Sequence, residues 1–270
     1  MATLGKVFRK EMNQQEVFKT VYRGRQSALH HMAYMRMCKV LLALDVLRAF
    51  RWDFGGKSVF DYGFGAGTFF RYCPKETRIS GVEMDSHNVA DVAAMLRGQG
   101  YSNVNLQKIE LPTWKTHPLL ERQYDLFLCS HVLEHLPEPA EFLKTISPNI
   151  ADGGIFLGLV PINEIQDNPH HVQKVDREVL QCWADAANYQ VLSYIEADEI
   201  SYPLQPLYTH DSGLWHKTAQ AVSLGMGVPA TLLGSKNWWA VSGLTRLLGC
   251  KPTQAAFLLK PGANAGNDGG

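Results

Sequence analysis

From Lys57 onward, short apolar runs alternate with longer stretches of mixed polarity. SVFDYG (Ser58–Gly63), ISGVEMD (Ile79–Asp85), NVNLQKI (Asn103–Ile109) and YDLFLCS (Tyr124–Ser130) each predict a strand, as do GIFLGLV (Gly154–Val160), YQVLSYIEA (Tyr189–Ala197) and AAFLLKP (Ala255–Pro261). A helical run, Val89–Arg97, follows the second. Strands spaced by helix-length segments imply right-handed crossovers, hence an α/β fold with a mainly parallel seven-stranded sheet and helices on both faces. Before Lys57, residues Gln14–Phe50 read as helices, because Met32, Met35, Val40, Leu41, Leu44 and Leu47 recur near helical spacing with no glycine or proline after Gly24. The interval Asp198–Pro252 breaks the alternation. It is far longer than an ordinary loop, carries Trp215, Trp238 and Trp239, and reads as an insertion folded over a site. The expected organisation is a helical N-terminal cap (1–52), a core (53–197 plus 253–261), a lid insertion (198–252) and a disordered tail (262–270).

Composition narrows the class. With 46% hydrophobic residues and no net charge, the chain has the make-up of a soluble globular protein and no overall nucleic-acid footprint. Between Lys6 and Lys57, however, eleven basic residues face only Glu11, Glu16, Asp45 and Asp53. This excess is either a solvated helical face or a basic lip that attracts an anionic substrate. Tyr22, Arg23 and Arg25 lie in this stretch and are either surface residues or substrate contacts. Five scattered cysteines, without a C-x-x-C pair, point to reduced thiols and a cytoplasmic location. No signal peptide opens the chain, and no uninterrupted apolar run reaches the length of a membrane span.

The chemistry concentrates at strand ends. Asp61, Gly63, Gly65 and Gly67 form D-x-G-x-G-x-G at the end of the first strand, where glycines let the backbone turn sharply and approach a ligand closely. Glu83 ends the second strand, placed to take two ribose hydroxyls in charge-assisted hydrogen bonds. Together with YDLFLCSHVLEHLPEP and GGIFLGLVP, these motifs resemble the class I S-adenosylmethionine (SAM)-dependent methyltransferases over about Val59–Val172. The resemblance implies a Rossmann-like sheet with its last strand antiparallel, SAM as cofactor and methyl transfer as the activity. It implies that Gly63, Gly65 and Gly67 pass the methionyl part of SAM, with Asp61 supporting the loop and the amino group. By the same resemblance Glu83 holds the ribose, Met84 lies against the adenine, Glu110 contacts the adenine amino group, and Ser130 and His131 border the sulfonium.

His131, Glu134 and His135 follow the fourth strand, and on a helix starting there they would share one face. His170 and His171 follow the fifth strand, and both loops open at the same end of the sheet. Three readings stay open. In the first, Glu134 and His135 orient the loop. In the second, His131, His135 or His171 acts as a general base on a hydroxyl. In the third, His131, Glu134, His135 and His171 hold a divalent metal. The segment resembles the E-x-x-E-H loop and distant His of metal-dependent O-methyltransferases acting on small-RNA 3′ ends or coenzyme Q precursors. His131 in place of the first Glu shifts preference from Mg²⁺ towards Zn²⁺, Mn²⁺ or Ni²⁺. The resulting expectation is methyl transfer to an oxygen, less readily a nitrogen, of a small-molecule acceptor. The rivals are an RNA 3′ end as acceptor and a SAM-binding scaffold without catalysis. The oligomeric state is left open by the sequence.

Overall fold

The computed structural model of the chain describes residues 31, 33–165, 170–205 and 213–262. Tyr22, Arg23, Arg25 and the expected tail beyond 262 lie outside the described residues. All seven expected strands form: β1 (Ser58–Tyr62), β2 (Arg78–Glu83), β3 (Val104–Lys108), β4 (Tyr124–Ser130), β5 (Ile150–Pro161), β6 (Tyr189–Ala197) and β7 (Gln254–Pro261). They make one sheet in the order β3-β2-β1-β4-β5-β7-β6. The pairs from β3 through β5 are parallel, while β7 runs antiparallel to both β5 and β6.

Both faces of the sheet are covered, which is why its strands read as apolar runs rather than strict alternations. Phe60, Phe127, Phe156 and Phe257 point to one side, where α3 (Pro139–Ile146) and α4 (Arg177–Ala186) bury Phe142, Leu143, Leu180 and Trp183. Val59, Leu126, Leu128, Leu157 and Leu258 point to the other side, against α1 (Tyr34–Ala49) and α2 (Ser86–Gly98). Asp85 caps α2, its side chain accepting from the His87 amide. Between β1 and β2 the chain crosses through a short 3₁₀ turn, Phe69–Tyr72.

The stretch before β7 is helical. It forms α5 (Gly213–Leu244), broken at Gly234, where φ 71° and ψ 160° suit only glycine. Trp238 is buried between α5 and α1, stacking edge-on to Tyr34 at 5.4 Å and donating its indole N–H to the Tyr34 hydroxyl (2.8 Å). Trp239 donates to Asp45 at 2.7 Å. Both tryptophans therefore seat α5 on α1.

Candidate active site

A cavity of about 390 Å³ opens at the carboxyl ends of β1, β2 and β4, roughly the size range of small-molecule sites. The glycine loop forms one wall. Gly63, Gly65 and Gly67 all have positive φ (78°, 52° and 65°). A Cβ on Gly63 would sit 2.8 Å from the Val132 side chain, and one on Gly67 2.5 Å from Val92. The loop is thus pressed between the β4 loop and α2, leaving its backbone towards the cavity.

Two carboxylates line the same wall. Glu83 accepts from the Gly65 amide (2.8 Å), the Met84 amide (2.8 Å) and the Asp85 amide (3.3 Å), so the loop and the β2 tip are locked together. Burial pushes its pKa up, and these three amides hold the rise down. Asp61 is 3% exposed, and its Oδ1 has no hydrogen-bond partner. Burial, with the Glu83 charge nearby, pushes the Asp61 carboxyl well above the ordinary range. A buried carboxylate this poorly satisfied fits a ligand that brings a cation, as the ammonium of SAM does. Met84 and Ile109 add apolar surface on the β2 and β3 side, where a flat base would lie.

Glu110, the expected adenine contact, is not brought together with the other site residues. Glu110 does not line the cavity; it is exposed and pairs with Lys108 at 2.7 Å. Side-chain direction reverses at each step off a strand end, so Ile109 faces inward and Glu110 outward.

The histidine loop also departs from its expected form. No α-helix begins at His131; instead that residue takes φ 57°, and a three-residue 3₁₀ turn, Leu133–His135, follows. Ser130, His131 and His135 line the cavity. The His131 ring is held from both ends, Nε2 lying 2.7 Å from Gln254 Oε1 and Nδ1 3.3 Å from Glu134 Oε1. The latter contact is of ion-pair length only for a charged imidazole and makes no hydrogen bond, so neither oxygen of the fully buried Glu134 carboxylate has a hydrogen-bond partner. Burial and the Lys39 ammonium push the His131 pKa down, and burial does the same to His135. Burial raises the affinity of Glu134 for a proton, but the adjacent His131 and His135 more than offset it and hold its pKa low.

Among the described residues, the potential ligand atoms of Glu134, His135 and His171 lie within 4.8 Å of one another. His131 is outside this group and lies beside Glu134. The His135 Nδ1 lies 2.9 Å from the His170 carbonyl and the His171 Nδ1 2.8 Å from Glu164 Oε2. Both partners are acceptors, so each Nδ1 carries the proton and each Nε2 the lone pair. This arrangement fits a metal ligand set in which the outer hydrogen bond fixes the tautomer. The amides of Val172 and Gln173 donate to the Glu134 carbonyl (2.9 and 3.1 Å), tying the two histidine loops together.

Several cavity residues had no signal in the sequence. Arg36, Lys39, Val40 and Ala43 come from one face of α1, and Trp114 from a 3₁₀ turn after β3. The basic excess before Lys57 pointed at α1 but not at these two cations. Gln254, which holds His131, sits at the start of β7, far from any motif.

A family model described as a methyltransferase domain matches residues 30–204. Ubiquinone biosynthesis O-methyltransferases of Coxiella burnetii are 33% identical over 102 residues, 37% of this chain and 41% of that protein. The Aeromonas salmonicida protein of the same name is 28% identical over 112 residues, 40% of this chain and 45% of that one. The match thus spans less than half the length of these curated relatives. Among solved structures, coclaurine N-methyltransferase bound to N-methylheliamine and SAH superposes with a TM-score of 0.57 at 15% identity, covering 83% of this chain and 71% of that one. The [4+2]-cyclase SpnF gives 0.55 at 18% identity, covering 83% and 81%. Neighbours named for such different reactions share the fold alone.

Proposed function

Since the chain belongs to the class I SAM-dependent methyltransferases, we propose that it methylates a hydroxyl oxygen of a small-molecule acceptor, with Glu134, His135 and His171 holding a divalent cation at the acceptor end of the cavity. The observation that carries the oxygen reading is Glu134: a fully buried carboxylate without a hydrogen-bond donor, beside two imidazoles whose lone pairs are on Nε2. An amine acceptor that arrives neutral needs no such group, whereas a hydroxyl gains from one.

When bound, SAM supplies a methyl group already activated on its sulfonium. The protein contributes binding, orientation and exclusion of water. Asp61 pairs with the ammonium of the methionyl part, Glu83 accepts from the ribose hydroxyls, and Met84 and Ile109 enclose the adenine. Ser130 and His131 border the reacting methyl. A divalent cation on Glu134, His135 and His171 would lower the pKa of the acceptor hydroxyl and orient it, and the mixed nitrogen and oxygen donors suit Zn²⁺, Mn²⁺ or Ni²⁺. The His131 ring packs beside the Glu134 carboxylate, with Nδ1 3.3 Å from Oε1. Arg36 and Lys39 on the cavity wall favour an acceptor with an anionic group. The relatives named for O-methylation in ubiquinone biosynthesis support oxygen as the accepting atom.

A second reading makes His135 the general base, because it lines the cavity and burial keeps its ring neutral and ready to take a proton. The test is transfer of labelled methyl from SAM to a panel of hydroxylated acceptors, with amines and short RNA 3′ ends included, before and after chelation. The metal reading expects activity on hydroxyls that chelation abolishes and Mn²⁺ or Zn²⁺ restores, and a fall of about 10–100-fold in Glu134→Gln with SAM affinity unchanged. Activity indifferent to chelation but lost in His135→Ala establishes the base. Transfer only to amines overturns the oxygen assignment.

A further inference from the structure

α5 is apolar on opposite sides. Its inward side, with Ala230 and Trp238 buried, packs on Tyr34 and Cys38 of α1. On either side of the break at Gly234 and in the 3₁₀ turn that follows, Thr245–Leu248, it exposes Leu232 (81%), Leu244 (63%), Leu247 (85%) and Leu248 (83%) to solvent, and Val228 and Val241 are also exposed. A helix that is hydrophobic all round is normally covered on every side, and an exposed cluster of large aliphatic side chains marks an interaction surface.

The charge pattern selects what covers it. Residues 213–252 contain Lys217, Lys236, Arg246 and Lys251 and no aspartate or glutamate. Arg246 is engaged by the buried Glu199, at 2.6 Å from Nε, so its charge is compensated internally, but the rest of the segment is purely cationic. Two copies of a segment with this make-up would bring like charges together, which disfavours a symmetric dimer through it. An anionic lipid surface offers hydrocarbon for the leucines and a charge opposite to that of the segment. No helix among the described residues is long and apolar enough to cross a membrane, so the contact would be lateral.

We propose that the outward face of α5 and the turn after it dock the protein on anionic bilayers, with Leu232, Leu244, Leu247 and Leu248 entering the headgroup boundary. This inference does not depend on the identity of the acceptor. It does bear on access, because α1 presents Arg36, Lys39, Val40 and Ala43 to the cavity and Tyr34 and Cys38 to α5. Docking therefore sets the cavity one helix away from the lipid surface.

The experiment is vesicle flotation of the full chain, with phosphatidylcholine alone and with added phosphatidylglycerol, run beside light scattering for oligomeric state. The expected result is flotation that requires phosphatidylglycerol, weakens with salt, and falls at least about tenfold in the triple variant Leu232→Ser, Leu247→Ser, Leu248→Ser. These leucines are exposed, so the variant should retain the parent melting temperature, and its SAM affinity reports that the cavity is intact. Three results overturn the proposal: no flotation with either vesicle, flotation indifferent to phosphatidylglycerol or unchanged in the triple variant, or a stable dimer that the triple variant dissolves.

Discussion

Asp61 and Glu83 stand at the tips of neighbouring strands, yet their surroundings divide their work. Glu83 is saturated with backbone amides on one side and still has acceptor capacity on the other, because a carboxylate offers about four lone-pair sites. Asp61 lacks that support, which suits its proposed pairing with the ammonium of SAM. Removing Glu83 should therefore cost two charge-assisted bonds to the ribose and also loosen the loop at Gly65. Glu83→Ala is expected to weaken SAM binding by roughly 100-fold in calorimetry, while Glu110→Ala should stay within about twofold of the parent. A comparable loss in both variants would mean that the adenine edge reaches further out than Ile109. At this scale the sequence was legible where the residue type left no freedom, as at the three positive-φ glycines. It was not legible at Glu110, where one step of strand register decides which side chain faces inward.

At the scale of elements, the strands could be read because burial on both faces writes an unbroken apolar run, and none of the seven was missed. The histidine loop misled because V-L-E-H-L carries helical spacing, whereas His131 at φ 57° turns the chain before a helix can start. α5 was hidden for a related reason. Its hydrophobic residues surround the helix, so no one-sided stripe separates it from a long loop. What holds it is the seam with α1, in which Trp238 fills the space beside Tyr34. Trp238→Ala should cost about 3–5 kcal/mol in denaturant unfolding. The same substitution should weaken SAM binding, since α1 lines the cavity. Lost stability with unaltered binding would show that α1 holds its place without α5.

The whole molecule is joined at Asp198, a residue with φ 72° at the end of β6. It accepts from the Tyr34 hydroxyl of α1 (2.6 Å) and from the Thr253 hydroxyl before β7 (2.9 Å), and Tyr34 in turn receives the Trp238 indole. No local pattern could announce this junction, because its members are brought together only by the finished sheet. Burial pushes the Asp198 pKa up to about 6, against the hydroxyl donors that pull it down. The folded state thus keeps a proton that the unfolded chain releases near its ordinary value of about 4. The group's contribution is most favourable below that value and is lost as pH rises to about 6, beyond which the charged carboxylate opposes folding by about 3 kcal/mol at most. Asp198→Asn removes the titration, so the stability of the parent relative to this variant should decline between about pH 4 and 6 and then level off. A constant difference across that range would show that Asp198 is already ionised in the folded protein.

Gln254, whose amide holds the His131 ring, belongs to the strand that slots between β5 and β6. That strand leaves the ribosome after all the other described strands. Strands β1 to β3 can pair while synthesis continues, but the contact of Gln254 with His131 has to wait for the final insertion. On the proposed assignment, a polypeptide halted before β7 would lack Gln254 behind the His131 ring and is expected to lose methyl transfer.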